Sequence, residues 1–179
     1  MVMVTIISDE TVREIGDDIL ETLREDQKEV RHFSLDGMEI KPCYACGGCA
    51  KKTYKRCIIR DDADQILPCL ARSTTIIIVT PILFGSYSYK TKLVIDKLAL
   101  IGDLHYYYKN GELVKSLNPS NAKYFVVGIA SEENPKKAAA FQQLVQETLQ
   151  LTSWIGKAII APAEAIDIHN IAKEITGHE

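Results

Sequence analysis

Residues 74–80 read TTIIIVT, and residues 81–85, PILFG, carry the chain onward. Ile76, Ile77, Ile78 and Val79 are apolar at odd and even positions alike. A strand with one solvent face alternates apolar and polar residues, so this strand is buried on both faces. That places it at the centre of a parallel sheet covered by helices on each side. Pro81 has no amide hydrogen and closes the run.

Working outward, residues 2–7 (VMVTII) read as a second buried strand. Val12, Ile15, Ile19 and Leu23 then recur at three- and four-residue steps, which predicts an amphipathic helix over about 9–25. Residues 28–35 (KEVRHFSL) form a less apolar strand near an edge. Residues 61–72 read as a helix opening on two aspartates, which suit the positive end of its dipole, with Pro68 kinking it or ending it early. Further helices are expected over 86–101, 135–152 and 168–177, and strands over 123–130 and 157–162. Strands alternate with helices five times, without repeat or linker. The fold class is α/β: one open three-layer domain over 1–179, with right-handed crossovers. Ligands bind such sheets at the carboxyl ends of the strands. The loops there are 8–11, 80–87 and 130–135.

The chain has 179 residues, 46% of them hydrophobic, with 21 basic against 24 acidic residues. A net charge of −3 supplies no global basic field, which disfavours nucleic acid and anionic membrane as partners. No segment has the length of a transmembrane helix. The opening MVMVTIISDE lacks the basic region and cleavage site of a secretory signal, so a cytoplasmic location is expected.

Four of the five cysteines, Cys43, Cys46, Cys49 and Cys57, are spaced C-x2-C-x2-C-x7-C. In a reducing compartment such clusters serve metals or redox chemistry more often than disulfides. Thiolates two residues apart converge on iron–sulfur clusters, and the fourth cysteine closes a [4Fe–4S] site. Gly47 and Gly48 allow tight folding. Lys51, Lys52, Lys55 and Arg56 offset cluster charge or dock an acidic donor such as a ferredoxin. Free or redox-active thiols are the second reading. Zinc is the third, because its sites pair two knuckles across a longer spacer. Cys69, among apolar residues, reads as core.

The loop TPILFGSYSYKTKLVIDK (80–97) combines a hydroxyl at Thr80, apolar Ile82, Leu83 and Phe84, and Gly85, where backbone approaches a ligand closely. With C-x-x-C-x-x-C and its fourth cysteine about thirty residues before it, the chain resembles the flavodoxin-like NAD(P)H-dependent FMN reductase superfamily, in its iron–sulfur flavoprotein branch. The resemblance runs from the first strand to the last. It implies a five-stranded parallel sheet of order 2-1-3-4-5, FMN at its carboxyl edge, NAD(P)H as donor, and homodimers or homotetramers. It places Thr80, Pro81, Ile82, Leu83, Phe84 and Gly85 against the flavin ring and ribityl chain. Ser8 and Thr11 fall in the family's phosphate loop, and Ser131 near the ring edge. No catalytic side chain is assigned, because the flavin carries the chemistry.

The first loop departs from the family pattern. TIISDETVREI has no glycine, and Asp9 and Glu10 stand where a phosphate is expected. Each partly desolvated carboxylate would repel a phosphate by about a kcal/mol. Asp9 and Glu10 also suit the N-terminus of their own helix, and Arg13 would offset them. The third loop, GIASEENPKKA (128–138), lacks the expected glycines and adds Glu132 and Glu133. Three functions follow. The first is an FMN-dependent oxidoreductase. The second is a relative that has lost FMN and serves as a metal- or cluster-binding or interaction subunit. The third is a cofactor-free thiol redox protein. Residues 103–121 read as a surface excursion with a tight turn at KNGE and three consecutive tyrosines. Trp154 is expected to pack beneath the last strand. His105 and His169 are given no chemistry.

Overall fold

The computed structural model describes residues 3–25, 29–103, 106–117 and 121–177. The central strand is β3, Thr75–Pro81, flanked by β1, Met3–Ser8, with β2, Glu29–Ser34, outside it. A hairpin intervenes in sequence, made of β4, Tyr107–Lys109, and β5, Glu112–Val114. On the other side of β3 lie β6, Lys123–Ala130, and β7, Ile155–Pro162. The main sheet is wholly parallel in the order β2-β1-β3-β6-β7, the expected 2-1-3-4-5 once the hairpin strands are set aside. Ile77 pairs with Ile6 on one side and Phe125 on the other.

The helices are α1, Arg13–Glu25, a short α2, Gly48–Lys51, α3, Ala63–Leu70, α4, Tyr89–Ile95, α5, Pro135–Thr152, and α6, Ile168–Thr176. The apolar run of β3 divides as its pleat requires. Ile76 and Ile78 join one core with Ile66 and Leu70 of α3 and with Phe141 and Val145 of α5, whereas Ile77 and Val79 join another with Ile19, Leu23, Ile171 and Ile175 of α1 and α6.

Three elements differ from expectation. The first helix opens as a 3-10 turn over Glu10–Val12, because the Asp9 carboxylate folds back onto the Thr11 amide. The helix expected over 86–101 starts at Tyr89, where Ser88 caps it. It gives way after Ile95 to a 3-10 turn over Leu98–Ile101, which carries Lys97 inward. The excursion beyond Asp103 is a hairpin whose Asn110 and Gly111 both have positive φ, the backbone of a tight two-residue turn. Tyr106, Tyr107 and Tyr108 are all exposed. Pro68 is tolerated near the end of α3, which stops two residues later. Trp154 is buried against Tyr124, 5.4 Å between ring centroids, just before β7. Cys69 is buried. Val2, Lys28 and His105 lie outside the described residues.

Candidate active site

β3 delivers residues 80–87 to the carboxyl edge of the sheet. The Thr80 hydroxyl is buried and committed to the loop itself: it accepts from the Ser88 amide at 3.1 Å and donates to the Pro81 carbonyl at 3.2 Å. Ile82 follows, its amide donating to Ile129 of β6. Leu83 and Ser86 then exchange two backbone hydrogen bonds of 3.0 and 2.9 Å. Between them Phe84 and Gly85 have φ of +54° and +78°. This is a two-residue turn of the mirror-image type. A Cβ on Gly85 would lie 2.9 Å from the Ala140 Cβ, so the missing side chain lets the turn press onto α5. Phe84 gains nothing comparable. It holds a left-handed conformation that costs a bulky residue about 1–2 kcal/mol, and it is 94% exposed, with Leu83 beside it at 46%. Exposed strain of this kind collects at binding sites.

Next to the turn a cavity of about 620 Å³ opens at the ends of β6 and β7. Its apolar wall includes Ile82, Ala130 and Ile160, and its polar rim Ser131, Glu132 and Lys137. Asn134 caps α5 by accepting from the Lys137 amide at 3.2 Å. The Lys137 ammonium holds the Glu132 carboxyl below its ordinary range through a 2.5 Å ion pair. Volume and lining suit a flat ring system. Ile82 and Ser131, both expected at the site, line this cavity, and Lys137, Asn134 and Ile160 were not foreseen. Asn134-Pro135 carries the signature of a helix start, but only the docking of β7 beside β6 brings Ile160 to the same wall.

The first loop is arranged differently. Ser8 is fully buried, and its hydroxyl meets His32 Nε2 at 2.7 Å, on the α1 side of the sheet. The Thr11 hydroxyl and amide both donate to the Asp9 carboxylate, at 2.7 and 3.0 Å. Ser88 donates to the other oxygen of Asp9. Asp9 itself is only 3% exposed. Its backbone amide donates to Val79 at 2.9 Å, and the Val12 amide returns to Asp9 at 3.2 Å. The hydroxyls of Ser8, Thr11 and Ser88 and the amides of Asp9, Thr11 and Val12 are therefore already paired within the chain.

The cysteine loop is closed at its neck. Asp62 accepts from the Glu39 amide at 2.8 Å, and Asp61 from the amides of Lys41 at 2.9 Å and Ala63 at 3.0 Å. The Lys97 ammonium completes the neck by pairing with Asp61, the two side chains being 2% and 3% exposed. Within the loop, Cys49 and Cys57 pack against the core, while Cys43 and Cys46 are exposed. Among the described residues no three ligating side chains converge on a metal-sized point. The donors have the chemistry of an iron–sulfur site.

Residues 10–146 match the sequence profile of the family described as NADPH-dependent FMN reductase. The chain belongs to that family. An iron–sulfur flavoprotein from Methanosarcina thermophila is 30% identical over 91 residues, 51% of this chain and 47% of that protein. An iron–sulfur flavoprotein from Archaeoglobus fulgidus is 30% identical over 94 residues, 52% and 47% of the respective chains. The chain thus spans about half the length of the curated relatives it matches. Among solved structures, an FMN-dependent NADH-azoreductase from Bacillus anthracis in complex with FMN aligns over 99% of this chain and 97% of its own, with a TM-score of 0.70 and 14% identity. That likeness establishes the shared fold. No helix among the described residues is long and apolar enough to cross a membrane.

Proposed function

We propose that the protein is an FMN-dependent oxidoreductase that takes electrons from NAD(P)H. The observation that carries this reading is the strained, exposed Leu83–Phe84 turn beside the apolar cavity at the carboxyl edge, in a chain of the FMN reductase family. Bound flavin supplies the redox chemistry. Ile82, Leu83 and Phe84 offer apolar surface to the ring, the backbone of Pro81 and Gly85 lets it approach, and Ser131 supplies a hydroxyl at its rim. Thr80 positions the loop. With these residues covering one side, the ring is held out of bulk water.

The four cysteines add a second centre to the proposal, a [4Fe–4S] cluster on Cys43, Cys46, Cys49 and Cys57. This part is supported by donor type and by the names of the curated relatives. The exposed cations Lys51, Lys52 and Arg56 on the same loop suit an acidic electron-donor protein of the ferredoxin kind. A cytoplasmic setting and a homodimer or homotetramer belong to the same reading.

The test is an anaerobic titration with FMN followed by NADPH or NADH. Bleaching of the flavin absorbance at least about tenfold faster than without protein is expected; no acceleration by either nucleotide removes the reading. Iron and sulfide counts after reconstitution, with loss of both in Cys46→Ser, decide the cluster. The enclosed Asp9 carboxylate favours one alternative, a relative without flavin that serves as a metal-binding or interaction subunit. Absence of any flavin binding together with retention of iron or zinc would support it.

A further inference from the structure

The first loop bears on which flavin the site selects, an inference that rests on the flavin oxidoreductase reading above. A phosphate is held at a loop of this kind by unpaired amides, hydroxyls and cations. Here the donors grouped around Asp9 are already engaged. The amides of Asp9, Thr11 and Val12 donate to Val79 O, Asp9 Oδ1 and Asp9 O. The hydroxyls of Thr11 and Ser88 donate to the Asp9 carboxylate, and that of Ser8 is turned away to His32. The nearby cations have partners too. Lys90 pairs with Glu10 at 2.5 Å, and Arg13 with Asp17 at 3.5 Å and Asp36 at 3.6 Å. Asp9 has in effect filled the anion cradle with a carboxylate of its own.

Replacing that carboxylate with an incoming phosphate would leave Asp9 buried without its donors, which costs more than an exposed hydrogen bond returns. Placing the phosphate beside it sets like charges together in a partly desolvated site. The third loop gives no substitute, because Lys137 is paired with Glu132, and Glu133 and Glu164 share the cavity rim. The ring-binding surfaces, by contrast, are open: the cavity is apolar-walled and Phe84 is exposed.

We infer that this chain selects its flavin by the isoalloxazine ring and not by a terminal phosphate, so that riboflavin binds as tightly as FMN. The test is equilibrium titration of the flavin-free protein by quenching of flavin fluorescence, with riboflavin and FMN in parallel. Dissociation constants within about threefold of one another are expected, and inorganic phosphate should compete with neither. Asp9→Asn with Glu10→Gln removes both charges while keeping side-chain size and one acceptor oxygen at each position. It should tighten FMN by about fivefold or more and leave riboflavin unchanged. The comparison on the unaltered protein stands even if that variant does not fold. FMN binding more than about tenfold tighter than riboflavin would overturn the inference while leaving the oxidoreductase reading intact. Failure of both flavins to bind would overturn the oxidoreductase reading itself, and the inference with it.

Discussion

The His32 side chain is only 7% exposed. Its Nε2 meets Ser8 and its Nδ1 meets Asp17 at 2.9 Å. Burial pushes its pKa below the ordinary 6.5, outweighing the upward pull of Asp17. The unfolded chain therefore binds a proton more readily than the folded one. The His32 contribution to stability is fully present above pH 6.5 and is lost as pH falls from there through the folded pKa. Urea denaturation should show a lower midpoint at about pH 5.5 than at about pH 7.5, and His32→Gln should flatten that difference. An equally steep fall in the variant would assign the effect to other groups. Although Ser8, His32 and Asp17 line up as serine, imidazole and carboxylate, Ser8 is fully enclosed, so the arrangement ties β1, β2 and α1 together without offering a nucleophile.

At the scale of elements, the decisive feature is the neck of the cysteine loop. Burial alone would raise the Asp61 carboxyl. The Lys97 ammonium and the Lys41 and Ala63 amides more than offset this and hold it below its ordinary range. Lys97→Met would leave that carboxylate buried and without its cation, a loss of about 3–5 kcal/mol. Urea unfolding should register it as a lower midpoint at neutral pH; a change below about 1 kcal/mol would mean that water replaces the ammonium. The pair also joins the cysteine loop to the segment after α4, the helix that follows the turn carrying Phe84. None of this was readable from spacing. Asp61 and Asp62 read as ordinary helix-opening carboxylates, and Lys97 falls within the helix expected over 86–101, because sequence pattern reports periodicity and not which distant group a side chain will meet.

For the whole molecule, the two cores on either face of one sheet leave some apolar surface uncovered. Tyr106, Tyr107, Tyr108 and Leu113 on and beside the hairpin are exposed, as is Ile155 at the start of β7. Exposed aromatic and aliphatic side chains such as these are available for association between copies. Light scattering is expected to give two or four times the 20.0 kDa chain mass; a mass of one chain at micromolar concentration would remove the proposed oligomer.

The apolar run of β3, the alternation of strands and helices and the residues of the 80–85 loop were sufficient to determine the parallel sheet, its layers and the family. These depend on local periodicity and on short motifs, which the chain displays in one dimension. Only the tertiary structure decided what the polar residues do. Asp9, which reads as a carboxylate facing a phosphate, is enclosed by Thr11 and by Ser88 from far along the chain. Thr80 turns inward to hold its own loop, and Ser8 turns to His32. A hydroxyl or carboxylate at a strand end can serve the ligand or the fold. Which it serves depends on the nearest available partner in space, and that is settled only when the strands are brought side by side.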